Sequence, residues 1–148
     1  MKLAILWFAA WAVLGQMPGT PEEDLARVQS EPNLEKRAHL ALDNAEEALK
    51  QAREDYTKGD DTAANSRLEE IQRSVELADS ALKQTGKNPS RSPKHFKTAE
   101  LRTRDLLRKL DGFQEQMSVA DRKMADEVTS AVQKIHDAWL EGIMGKKK

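Results

Sequence analysis

The segment PKHFKTAELRTRDLLRKLDGFQEQM, residues 93–117, carries the two strongest signals in the chain. Phe96, Ala99, Thr103, Leu106, Leu110, Phe113 and Met117 follow one another at alternating steps of three and four. That spacing keeps one side of a helix apolar, and Leu107 widens the stripe. On the opposite side of the same helix fall Lys94, Lys97, Arg104 and Arg108. One face therefore requires a core, and the other is a positive strip.

The same pattern recurs on either side of this segment. Asn33–Lys58 carries Ala38, Ala41, Leu42, Ala45, Ala48, Leu49, Ala52 and Tyr56, an alanine-rich stripe that lets a partner helix approach closely. Asp61–Gln84 carries Ala64, Leu68, Ile71, Val75, Ala78 and Leu82. Lys58-Gly59-Asp60-Asp61 separates these two segments, with a glycine suited to a left-handed turn and an aspartate suited to cap the next helix. So short a connection predicts an antiparallel hairpin. Thr85–Ser92 is a longer break, and a second hairpin follows. Its last helix is expected from a capping box at Ser118–Asp121 through Met124, Val128, Val132, Ile135, Trp139 and Ile143. Continuity of the third and fourth helices is the alternative.

The expectation is an all-α fold, a bundle of about four helices (33–58, 61–84, 93–116 and 118–143) made from two antiparallel hairpins. It forms one domain over 33–144, followed by a basic tail at 145–148. Residues 16–32 read as a linker holding a short helix that starts at Thr20-Pro21-Glu22-Glu23-Asp24. Ser30-Glu31-Pro32 repeats that start signal for the next helix.

Met1-Lys2 and the apolar run Leu3–Leu14 have the layout of a secretory signal peptide spanning 1–15. The run is shorter than the ~20 residues a membrane-spanning helix needs. Cleavage is expected after Gly15, with Val13 and Gly15 in the small-residue positions, and an uncleaved membrane anchor is the alternative. No cysteine follows, so a lipid-anchored lipoprotein is excluded.

Composition narrows the function classes. Net charge is −1, so the chain as a whole does not seek polyanions, yet residues 87–109 hold eight Lys or Arg against Glu100 and Asp105. With no cysteine there is no thiol nucleophile, disulfide or thiolate zinc site. His39 has Glu35 and Asp43 one turn away on either side, but no His pair stands at i, i+4 and the metal-protease pattern is absent, so no metal is expected. The acid pairs Glu22-Glu23, Glu46-Glu47 and Glu69-Glu70 diverge on a helix and cannot flank a bond. No phosphate-binding glycine loop, dinucleotide fingerprint or nucleophile elbow occurs, which predicts a non-enzyme without cofactor or small-molecule substrate.

Two candidate surfaces remain. Lys94, Lys97, Arg104 and Arg108, with Leu101 among them, form a candidate anion-binding strip. Trp139, Leu140 and Ile143 form a candidate docking patch, with burial of Trp139 in the core as the competing reading. The partner is expected to be another envelope protein or an anionic envelope surface. Nucleic acid is disfavoured by the export signal and by the lack of interleaved aromatics. Heptad spacing in the second and third helices leaves homo-oligomerisation open, and a chaperone-like module with an apolar concavity between the hairpins is a third reading.

The turn Tyr56-Thr57-Lys58-Gly59-Asp60, followed by Ala63, resembles the turn of a tetratricopeptide helical hairpin, and the resemblance covers that turn alone. In overall layout the chain resembles small exported bacterial helical proteins without assigned activity, which implies export and carries over no residue role.

Overall fold

In a computed structural model the described residues are 19–145, and every regular element among them is helical. The helices are α1 (Pro21–Gln29), α2 (Leu34–Thr57), α3 (Asp61–Gln84), α4 (Lys94–Gln116) and α5 (Arg122–Met144). The expected signal segment at 1–15 and Lys146–Lys148 of the basic tail lie outside the described residues.

Local chemistry sets most of the helix ends. Thr20 and Glu23 close a capping box at α1, with the Glu23 N–H donating to Thr20 Oγ1 at 3.3 Å and the Thr20 N–H donating to Glu23 Oε2 at 3.2 Å. Asn33 caps α2, accepting from the Lys36 N–H at 2.9 Å, and Asp60 caps α3, accepting from the Ala63 N–H at 3.0 Å. Gly59, at φ 81°, makes the reversal between α2 and α3 that a residue with a Cβ would strain to adopt.

Two expected start signals are corrected. Ser30 ends α1 instead of starting α2, and its hydroxyl donates to the Arg27 carbonyl at 2.6 Å. Ser118 does not cap α5, which begins at Arg122 after a turn. Both groups of that box are engaged elsewhere. The Tyr56 hydroxyl, from the end of α2, accepts the Ser118 N–H at 2.9 Å and donates to Asp121 Oδ2 at 3.0 Å, while Ser118 Oγ donates to the same carboxylate at 2.7 Å. The α4–α5 break is thus real, and Tyr56 pins it to the first hairpin.

Around the bundle the order is α2, α3, α5, α4, with α1 laid across α2 and α3. Each hairpin is antiparallel, whereas α2 runs alongside α4, and α3 alongside α5, in the same direction. Cross-links at 53 to 109 and 79 to 139 mark those parallel pairs. The alanines at 38, 41, 45, 48 and 52 of α2 are all 1% exposed or less, so α3 packs close against them. Leu68, Ile71, Val75 and Leu82 face them from α3, and Leu106, Leu110, Phe113, Val128 and Val132 fill the second hairpin. Phe113 meets Tyr56 edge-on at 5.8 Å between ring centroids. The heptad seams of α3 and α4 are therefore consumed within the chain.

Helix α1 is held by a buried polar network. Arg67 Nη1 donates to Glu70 Oε1 at 2.7 Å and to Asp24 Oδ2 at 3.4 Å, and its Nη2 donates to the Gly19 carbonyl at 2.8 Å. Asn44 Nδ2 donates to Glu70 Oε2 at 2.8 Å and to Ser74 Oγ at 2.9 Å. Glu70, 1% exposed, is thereby paired and hydrogen-bonded, as a buried charge must be.

Candidate functional site

The apolar stripe of α4 is buried from Phe96 to Met117, which forces Lys94, Lys97, Arg104 and Arg108 outward. Leu101, between Lys97 and Arg104, is 57% exposed. The strip read from the sequence is thus one continuous solvent-facing surface.

Its compensation comes from α4 itself. Arg104 pairs with Glu100, and Arg108 pairs with Asp105. Lys109 bonds the same Asp105 at 2.9 Å, and these two cations, Lys109 first, hold its carboxyl below the ordinary range. Among the described residues Lys94 and Lys97 form no ion pair. Three carboxylates of α2 are engaged by other cations, Asp43 and Glu46 by Arg102 and Glu35 by Lys87, and none pairs with the strip. Each strip guanidinium keeps donors free for an external anion.

Beneath the strip lies a link that the sequence hides. Glu100, 4% exposed, joins Arg104 to His136 of α5, whose Nε2 stands 3.0 Å from its carboxylate. His136 Nδ1 lies 3.1 Å from Asp137 Oδ1, and bonds from His136 and then Gln133 hold the Asp137 carboxyl below its usual range. A second histidine pair is also brought together. His39 Nε2 is 2.9 Å from His95 Nδ1, and His95 Nε2 is 2.8 Å from Glu35. With His95 Nε2 donating to that carboxylate, Nδ1 is the acceptor and His39 Nε2 the donor. Residues 56 apart in sequence give periodicity no means of announcing such a pair. Among the described residues no group of three His, Cys, Asp or Glu side chains is arranged to hold a metal ion.

The docking patch is corrected. Trp139 is 3% exposed and donates from Nε1 to Asp79 Oδ1 at 3.0 Å, so the indole is a core side chain with its polar edge satisfied. Ile143 packs on the core half-buried, and Leu140 is half-buried beside it. Burial follows from α5 lying against α3. The exposed large apolar side chains among the described residues are Leu101, Val119 and Met144, on α4, in the α4–α5 turn and at the end of α5. None of the described helices is long and apolar enough to cross a membrane.

No protein-family model matches the chain, and no curated protein or solved structure is significantly similar to it.

Proposed function

We propose that this chain is a non-catalytic, exported helical module that works by contact, engaging an anionic partner or surface of the cell envelope through the cationic face of α4. The observation that carries the reading is the exposure of Leu101 at 57% within the row Lys94, Lys97, Arg104 and Arg108, with no carboxylate of α2 or α3 paired to that row. Leucine also favours a solvated helix, but among cations with no cross-helix carboxylate Leu101 gives a contact surface an apolar anchor. Each cation near an anionic surface contributes roughly 1 kcal/mol, with less from Arg104 and Arg108, which are partly neutralised. Export rests on the layout of residues 1–15.

The test is retention of the chain on an acidic polymer and on phosphatidylglycerol vesicles as salt is raised. Retention at low salt that fades with salt, and that disappears in a Lys97→Glu, Arg104→Glu, Arg108→Glu variant, is expected. Equal retention of the variant, or none by the native chain at low salt, would remove the reading.

A further inference from the structure

A groove of about 820 Å³ runs between α1 and the outer face of α2. Its lining holds four carboxylates, Asp24, Asp43, Glu47 and Glu54, against Arg27 and Lys50. Asp24 is occupied by Arg67 and Arg27, and Asp43 by Arg102. Glu47 accepts only the Gln51 amide, at 3.3 Å, and Glu54 has no ion pair among the described residues.

Gln51 lies in the wall of this groove. It is 9% exposed, and its Oε1 has no hydrogen-bond partner. Rotating the amide would not help, because its Nε2 is committed to Glu47 and the swap would set oxygen against carboxylate. A buried acceptor without a donor is destabilising. With Glu47 and Glu54 unpaired among the described residues, the groove carries excess negative charge, and its complement is a cationic surface.

This chain carries such a surface with matching geometry. Along α2 the acids Asp43, Glu47 and Glu54 are spaced by four and seven residues. Read backwards along α4, Arg108, Arg104 and Lys97 are also spaced by four and seven. At the α-helical rotation of 3.6 residues per turn, each trio falls within an arc of about 40° and spans about 16 Å. Two antiparallel helices would thus set Arg104 against Glu47 and Lys97 against Glu54, with Arg108 over Asp43, which Arg102 already pairs. Leu101 would meet the aliphatic stem of Lys50.

We infer that the acidic groove of one copy receives the cationic face of α4 from a second copy. The two surfaces lie on different sides of the bundle, since the strip leans toward α5 through Glu100 and His136 while the groove is walled by α1. The contact is therefore heterologous, and copies add head to tail. This inference rests on reading α4 as a contact surface and supplies it with a partner.

The experiment is sedimentation of the full chain across concentration and salt, reading the salt-dependent part of the association. Two variants are compared with the native chain: the strip reversal Lys97→Glu, Arg104→Glu, Arg108→Glu, and a groove reversal Glu47→Lys, Glu54→Lys. Circular dichroism confirms that both remain helical, as exposed substitutions should. Each variant alone should lose salt-dependent association by roughly tenfold or more. Mixed in equal amounts they should form a pair that grows no further, because one intact groove and one intact strip remain. A native chain that stays monomeric at low salt, salt-dependent association that persists in either variant, or a mixture that does not pair would each overturn the inference. Polymer and vesicle retention separates the two readings. A groove-reversed chain that is retained while the native chain does not self-associate refutes the second-copy partner alone, whereas absence of retention refutes the anionic-surface reading.

Discussion

The cationic face of α4 is made by one helix, whereas the acidic groove exists only because α1 is held against α2. On α4 the cations, the exposed Leu101 and the neutralising acids Glu100 and Asp105 all lie within fifteen residues of one another. The groove joins residues of α1 to residues of α2, and what fixes α1 is Arg67 of α3, reaching Asp24, the Gly19 carbonyl and Glu70. A surface built on one helix survives as long as that helix does. A surface built between helices depends on the buried polar network behind it, and so the two can be broken separately.

The largest separation should come from Arg67→Met. It leaves Glu70 buried without its cation and Asp24 without its cross-helix partner, and breaking a buried pair in this way costs roughly 3–5 kcal/mol. Urea unfolding should register that loss. Below the new melting point α4 should still be retained on an acidic polymer, while salt-dependent self-association through the groove is lost. Loss of both together would mean that the surfaces are not independent.

Glu100→Leu should weaken the fold while strengthening the α4 surface. It strips His136 Nε2 of its acceptor and frees Arg104, and the orphaned buried group should cost about 2 kcal/mol in thermal unfolding. The same change removes a negative charge from beneath the strip. Retention on an acidic polymer should therefore persist to higher salt than for the native chain, although the fold is weaker.

A smaller effect of opposite sign is expected at Thr103, fully buried in the α4 stripe with no hydrogen-bond partner for its hydroxyl. Thr103→Val keeps the shape and removes the unsatisfied oxygen, so unfolding should shift upward by about 1 kcal/mol with both surfaces unchanged.

The gentlest expected effect is a pH slope at the α2–α4 seam. Burial, then the charges of His95 and Arg102, hold the His39 imidazole below its ordinary 6.5, with Asp43 and Glu35 opposing. Just below pH 6.5 the folded chain therefore binds fewer protons than the unfolded one. Stability from this site is complete above that pH and is lost as pH falls through it. Urea midpoints taken on either side of pH 6.5 should show the decline, and His39→Gln should flatten it.

These contrasts follow how much of the molecule could be read from the chain alone. Helical periodicity repeats every few residues, so the buried stripes from Ala38 to Ala52, Ala64 to Leu82 and Phe96 to Met117 are legible locally, and so are caps such as Thr20 and Asp60. The α4 strip was legible for the same reason. The cap at Ser118 was misread because its partner, Tyr56, arrives from another helix 62 residues earlier. Trp139 sits in its stripe in the sequence, and only Asp79 on α3 explains how its N–H can be buried.

By itself, then, the order of residues determined the helices, their apolar faces and the positive row on α4, because each depends on neighbours within a few turns. Which helices adjoin, and therefore the pairing of His39 with His95, the Glu100–His136 link beneath the strip and the groove with its unpartnered Gln51, was decided only by tertiary packing. Those features join residues tens of positions apart, and no local spacing encodes which apolar stripe will meet which.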